Sequence, residues 1–301
     1  PLYPERNGAG GRLGELRRFV TVKPFASPYV TTDAGALAGA VVLRPATAVD
    51  RLSPLKAEPA PIADRAQEQH RVLVRTLRDY GVAVTELEPQ TENATESLVA
   101  DCAVILPQGA ILARPSQIER RAEVAHVERQ LAELGVPVIG RIEAPGLLDA
   151  TDVALGANRL FVGVPRGPAG LRPRSNELGR KQLEALASAM GYRTIELPLA
   201  PDALRLRNVF NVVGADTVVA SPDKVDLVQA ADLTVIEVPR GEEFAAGVLP
   251  IGDRRVIANL RFRESIAILR KAKVAVEAID LWEFGKAGYG PFSLVLAVKR
   301  G

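Results

Sequence analysis

An α/β ring built of ββαβ-type units is the fold the sequence predicts, and three features carry that expectation. The chain of 301 residues repeats one grammar five times: an apolar hairpin, a stretch of helical spacing and a further short strand. Each round takes about 40 to 55 residues, a period at which repeats stack or close into rings. One strand, PFSLVLAV (291–298), is left over, and pairing it with the first unit would close the circle. No G-x-G-x-x-G follows a strand, so a doubly wound nucleotide-binding sheet is not expected.

Residues 1–35 are rich in Gly, Pro and Arg without sustained periodicity and read as an N-terminal extension, with 36–301 a single domain. From Ala40, AVVLRP is a strand. The stretch 61–81 has helical spacing with Ile62, Val72, Leu73 and Leu77 on one side, and VAVTELE is the next strand. The second round has a hairpin, DCAVILPQGAILARP, turning at Gln108 and Gly109. Its helix, IERRAEVAHVERQLAELG, is closed by Gly135, and VPVIGRIE is its strand. DVALGANRLFVGV, NELGRKQLEALASAMG and YRTIELPL make the third round. LRNVFNVVGADTVVAS, a short helical stretch and LTVIEVP make the fourth. AAGVLPIGDRRVIAN, RESIAILRKA and VAVEAIDLWEF complete the fifth.

Composition narrows the function. With 47% hydrophobic residues the chain can bury a large core without metal or disulfide. Its 38 basic and 36 acidic residues are interspersed, so no polyanion-binding stripe stands out and nucleic acid is not an expected partner. A single cysteine, Cys102, cannot form an internal disulfide, which fits the cytoplasm. No apolar run approaches the roughly 18 residues of a membrane helix. Two histidines, His70 and His126, with one cysteine provide no zinc or haem spacing, and no cofactor is implied.

A ring of such units places the hairpin starts around a central channel. The polar residues there are Asp101, Asp149 with Asp152, Arg205 with Arg207, and Ser293. A carboxylate opening an apolar strand must meet water, a cation or a donor. Taken singly each Asp reads as a turn cap; their recurrence at equivalent positions argues for a shared site. Strand alternation would turn Cys102 into the core, and both histidines read as surface residues of helices.

The stretches SLVADCAVILPQGAILARPSQIERRAE, RIEAPGLLDATDVAL, RSNELGRKQL, LRLRNVFNVVGADTVVA, VPRGEEFAAGVLPIGDRRVIAN and WEFGKAGYGPFSLVL resemble, in order and spacing, the pentein superfamily of guanidine-modifying proteins, dimethylarginine dimethylaminohydrolases above all. The resemblance spans roughly Ala40 to Val298 and implies a five-bladed α/β propeller with a central active site. It also implies three catalytic positions: a nucleophilic cysteine, where this chain has Ser293; a histidine, where it has Arg205; and a carboxylate, at Asp149. Asp101 matches the carboxylate beside the substrate guanidinium, with Asp152 nearby. Arg120 and Arg174 match the arginines that hold the substrate's α-carboxylate, although PRGPAGLRP precedes Arg174 as an extra segment. A glutamate, a phenylalanine and an asparagine of the family stand as Ala100, Leu98 and Gly247.

These exchanges bear on proton transfer. A serine hydroxyl needs a base to become a nucleophile, and a guanidinium, protonated at any biological pH, offers only donors. The expectation is therefore a catalytically degenerate protein binding a small amino-acid-like ligand with a carboxylate or guanidino group, with Arg205 plugging the site by pairing with Asp101, Asp149 and Asp152. Tyr289, Pro291 and Phe292 would narrow the pocket further. The alternative is an active hydrolase of guanidino compounds with rebuilt serine chemistry. Arm and helix faces leave room for a homodimer.

Overall fold

The computed structural model describes residues 24–55, 58–166, 174–252 and 254–301. Among them lie five three-stranded sheets of one design, each an antiparallel pair of strands followed by a parallel third. The first sheet runs β15 (Leu296–Arg300), β1 (Leu37–Leu43), β2 (Ala83–Leu87). Here the left-over C-terminal strand pairs antiparallel with β1, Ala40 opposite Ala297, and so supplies the missing member of the first unit. The second is β3 (Ala103–Leu106), β4 (Gly109–Leu112), β5 (Val138–Arg141); the third β6 (Val153–Gly156), β7 (Arg159–Pro165), β8 (Arg193–Leu199). The fourth is β9 (Phe210–Val212), β10 (Thr217–Ala220), β11 (Thr234–Glu237); the fifth β12 (Leu249–Gly252), β13 (Arg255–Asn259), β14 (Ala275–Ile279). Neighbouring blades touch in cyclic order, β15 on β3, the turn Val99–Cys102 ahead of β3 on the turn Ala150–Asp152 ahead of β6, β6 on β9, β9 on β12 and β12 on β1, so the five blades close into a ring.

Blade chemistry follows burial. The strands that start blades two to five, β3, β6, β9 and β12, are buried at every residue and read as continuous apolar runs. The third strands are partly exposed, as in β2 and β14. Helices α1 (Ala63–Asp79), α2 (Arg121–Glu133), α3 (Glu177–Ser188) and α5 (Arg263–Lys271) make the parallel crossovers, while the fourth blade crosses with only the 3-10 turn Val228–Ala230. The inner stripe of α1 is Ala66, His70, Leu73 and Leu77, the i, i+4, i+7, i+11 series of one face. This corrects two expectations. Ile62 is not on that face: it precedes the helix, 46% exposed, with its N–H donated to Glu283 (2.7 Å). His70 is not a surface residue but is buried, and burial pulls its pKa down to about 4. His126 is also buried, its pKa lowered by burial, with Nδ1 3.8 Å from Glu96. Both histidines sit at core-facing helical phase despite their charged sequence neighbours.

Residues 24–35 lie against the blades. The Phe25 N–H donates to Leu134 O (2.9 Å), the Tyr29 hydroxyl to Gly135 O (2.6 Å), and the Arg300 N–H to Tyr29 O (2.8 Å). Of the expected extension, residues 1–23 lie outside the described residues.

The feature that builds the site is one single-turn helix at the mouth of each blade. These are Val99–Cys102, Ala150–Asp152, α4 (Leu206–Val209), Glu243–Ala246 and Pro291–Leu294. The one-turn helix α6 (Trp282–Gly285) lies just ahead of the last of them. The mouth turns pack on one another, Val99–Cys102 on both Ala150–Asp152 and Pro291–Leu294, and α4 on Ala150–Asp152 and Glu243–Ala246. Cys102 belongs to such a turn rather than to a strand, and is still buried in the hydrophobic core that also holds Leu106, Val127 and Leu131.

Candidate functional site

Four of the five turns deliver the polar residues expected at the channel. Asp101 lies within its turn; Asp149 and Arg205 are the residues that lead into theirs; Asp152 and Ser293 lie within. All five are at most 3% exposed. An ionised carboxylate this deep requires cations or several donors.

Asp101 has both. Its Oδ2 accepts from Arg120 Nη1 (2.7 Å) and from Arg205 Nη2 (3.4 Å), and its Oδ1 from the Thr151 hydroxyl. Burial alone would push this carboxyl up, but Arg205 and Arg120 outweigh it and hold Asp101 well below the usual carboxylate range. Asp149 is less well served, because its nearest cations among the described residues are Arg174 Nη1 at 3.8 Å and Arg205 Nη2 at 4.0 Å. Burial, reinforced by the charge on Asp101, pushes its pKa up to about 7. Asp152 is raised by burial as well, against donors from the Ser175 hydroxyl (2.6 Å) and the Leu206 N–H (3.2 Å).

Arg205 is the centre of the cluster. It is 1% exposed, its guanidinium reaches Asp101 and Asp149, and it lies over the Tyr289 ring with 4.7 Å to the centroid. Although burial acts against the charge, Asp101 holds it firmly protonated. Arg205 Nε and Nη1 and the Ser293 hydroxyl have no hydrogen-bond partner among the described residues. Ser293 therefore has no base in contact with its proton, and the residue at the histidine position cannot act as one.

Arg120 and Arg174 differ in their freedom. The Arg120 fork is engaged, Nε on Glu123 (2.9 Å) and Nη1 on Asp101, inside a network in which Glu123 also accepts from Asn93 (2.6 Å) and Thr95 (2.7 Å). Arg174 is 40% exposed at its side chain. Most of the segment that precedes Arg174, residues 167–173, lies outside the described residues. Beside Arg174 opens a pocket of about 400 Å³ lined by residues 115–119 with Arg120, Asp149 and Arg174, a volume in the small-ligand range.

At the inner end, space has been filled. Phe292 is 1% exposed, and a Cβ on Gly247 would lie 3.1 Å from its ring. Gly179 sets the outer wall: its missing side chain lets α3 approach the 146–149 loop so closely that a Cβ would lie 2.0 Å from Leu147 O. Asn176 caps the same helix and accepts the Leu147 N–H (2.8 Å), so loop and helix are held together beside Asp149.

The structure thus gathers Asp101, Arg120, Asp149, Asp152, Arg174 and Arg205 into one linked cluster, with Ser293 buried at the channel but bonded to none of them. Sequence reasoning missed Glu123, Thr151 and Ser175. Glu123 follows Arg120 by three residues at a helix start, a spacing that puts both on one face. Ser175 adjoins Arg174 but bridges Asp152 and the Asp149 N–H (3.1 Å), contacts that no local pattern encodes.

No protein-family profile matches the chain. It is 28% identical over 221 residues to N(G),N(G)-dimethylarginine dimethylaminohydrolase of Streptomyces coelicolor, covering 73% of this chain and 81% of that one. To the enzyme of the same name from Pseudomonas aeruginosa it is 26% identical over 218 residues, 72% and 83% of the two chains. The fold superimposes on a solved structure of the Pseudomonas aeruginosa protein, a cysteine-to-serine variant complexed with citrulline, with a TM-score of 0.78 at 22% identity, over 87% of this chain and 99% of that one.

Proposed function

The chain is a pentein of the dimethylarginine dimethylaminohydrolase-like type, and from that premise we propose that it binds a small carboxylate-bearing, amino-acid-like ligand without turning it over. One observation carries the reading: the Arg205 guanidinium lies buried 3.4 Å from Asp101, stacked on Tyr289, at the place the resemblance gives to a substrate's guanidinium. The plug blocks the position and also removes the proton acceptor, since Arg205 stands where the family has its histidine. Ser293, with no partner for its hydroxyl, is an inert remnant of the nucleophile position.

What remains open is the outer pocket. Arg174 at its wall presents a planar fork suited to a carboxylate, and a backbone-sized ligand fits the space. The single buried thiol suits a reducing, cytoplasmic setting.

Two measurements test the proposal together. Incubation with arginine, methylated arginines and agmatine is expected to release no citrulline, urea, ammonia or amine above the uncatalysed rate; turnover that disappears in Ser293→Ala refutes the reading. Thermal unfolding is expected to shift upward with α-amino acids and not with agmatine, which lacks the carboxylate, and the shift to be lost in Arg174→Ala. A response to agmatine equal to that to arginine would mean an intact guanidine subsite instead.

A further inference from the structure

Below the layer of mouth turns the channel continues between the blades as a second, separate cavity of about 50 Å³. Its walls are largely apolar, Val153, Leu155, Leu249 and Leu296 among them, and its charged lining is Asp33, Arg207 and Arg300. We propose that this cavity holds a small monovalent anion of halide size between Arg207 and Arg300.

Charge and unfilled donors point to the anion. Arg300 is 2% exposed, and its two terminal nitrogens donate to neutral carbonyls, Gly35 O (2.8 Å) and Pro250 O (2.9 Å). Its Nε–H has no acceptor among the described residues. Arg207 gives its Nε–H to the neutral Asn211 Oδ1 (2.9 Å) and is stacked over Phe292, 5.7 Å from the ring centroid. Its Nη2 lies 3.5 Å from Asp33 Oδ2 without a hydrogen bond, and that same oxygen already accepts the Leu155 N–H (2.9 Å). Among the described residues, two guanidiniums thus line the cavity with one carboxylate, a net charge of +1. Burial lowers the Arg300 pKa to about 10, with Arg207 adding to the effect and Asp33 opposing it, as expected of a cation short of a counter-charge.

Ala100 lines the same cavity, at the position where the resemblance places a glutamate. Ala100 brings no charge to that lining, so an exchangeable anion restores neutrality, with Arg300 Nε and Arg207 Nη2 as donors that have no acceptor among the described residues. The volume admits a halide with one or two waters and excludes an amino acid or a phosphate ester.

Crystals of the full chain soaked in sodium bromide are expected to show an anomalous peak within hydrogen-bonding reach of Arg300 Nε and Arg207. Water alone at that point, with bromide ordered elsewhere on the surface, overturns the proposal. In solution, the unfolding temperature in sodium chloride is expected to exceed that in sodium gluconate at equal ionic strength by a few degrees at roughly tenfold excess over the dissociation constant. Ala100→Glu, which supplies a resident carboxylate, is expected to abolish that difference, and a difference that persists unchanged in a folded Ala100→Glu protein overturns the proposal as well. Should that variant fail to fold, the bromide result on the unaltered chain decides.

Discussion

Replacing Asp149 with asparagine isolates the electrostatic balance of the outer cluster. Four carboxyls, Asp101, Glu123, Asp149 and Asp152, face three guanidiniums, Arg120, Arg174 and Arg205, so one retained proton makes the group neutral. Burial and the neighbouring Asp101 charge place that proton on Asp149, whose pKa rises to about 7, against roughly 3.9 for an unfolded aspartate. The sign follows from linkage: between about pH 4 and 7 the native state holds a proton that the unfolded chain has lost. The stability due to this group is full below about pH 4. It falls by about 1.4 kcal/mol per pH unit as pH rises, and levels off above 7. His70 works in the opposite direction, since it is buried neutral with a pKa near 4, and stability rises with pH up to its unfolded value of about 6.5. The two slopes offset one another in the unaltered protein, so the informative quantity is the difference between variant and parent. Asparagine keeps the shape and carries no titrating proton. The stability of Asp149→Asn relative to the parent is expected to climb from about pH 4 to pH 7 by up to about 1.4 kcal/mol per unit and then stay constant, leaving the variant more stable at pH 8. Urea unfolding followed by fluorescence of the one tryptophan, Trp282, at half-unit steps from pH 4.5 to 8.5 measures it. A pH-independent difference, or one that falls with pH, would show that Asp149 is ionised throughout and refute the account.

Two further perturbations probe the plug and the wall that supports it. Arg205→Ala leaves Asp101 and Asp149 short of a buried cation and is expected to cost about 3–5 kcal/mol; methylguanidinium at millimolar concentration should raise the unfolding temperature of this variant and not of the parent, and an equal response of the two would show that the guanidinium position is not filled in the parent. Gly179→Ala drives a methyl into Leu147 O and is expected to destabilise the chain by about 1–3 kcal/mol, read as a loss of midpoint in urea; an unchanged midpoint would show that helix and loop separate freely.

How far the sequence could be read follows from the range of the interactions involved. The blades were legible because each is local: alternating short apolar runs and an intervening helical stretch lie within about 50 residues of one another. Ring closure was legible because a fifteenth strand had no partner in its own round, and it pairs with β1. The phase of α1 was not, since Ile62, Val72, Leu73 and Leu77 are all apolar and fit more than one helical face, whereas burial of His70 depends on what packs across it. Asp101, Asp149 and Arg205 could be brought together on paper because each lies in or just ahead of an equivalent turn. Ser175 and Thr151 could not: their only distinguishing property is a hydrogen bond across 23 and 50 residues. The engagement of Arg120 was hidden for the same reason, because the resemblance names a residue type and its place but says nothing of whether its donors are already spent.

The plug also determines which ligands can compete for the site. Asp101 is fully buried and needs cations beside it. In a pocket left open for substrate, one of those charges arrives with the ligand and forfeits translational and rotational freedom on binding. Arg205 immediately precedes a one-turn helix anchored by Asp152 and is stacked on Tyr289, so most of that cost is met during folding. A free guanidine must displace this intramolecular partner, whose effective concentration far exceeds the millimolar range of metabolites, and must also find the displaced guanidinium a new counter-charge in a channel whose other cavity is already positive. Guanidine recognition and the plug are therefore mutually exclusive at ordinary concentrations. On the proposed reading a carboxylate approaches from the outer pocket, where Arg174 is exposed and its only acid within 4 Å among the described residues is Asp149, at 3.8 Å and with its pKa raised to about 7. On the proposed reading, an arginine at the base's position thus does more than take away a proton acceptor: it fills the cation position and leaves Arg174, an anion donor, as the exposed group.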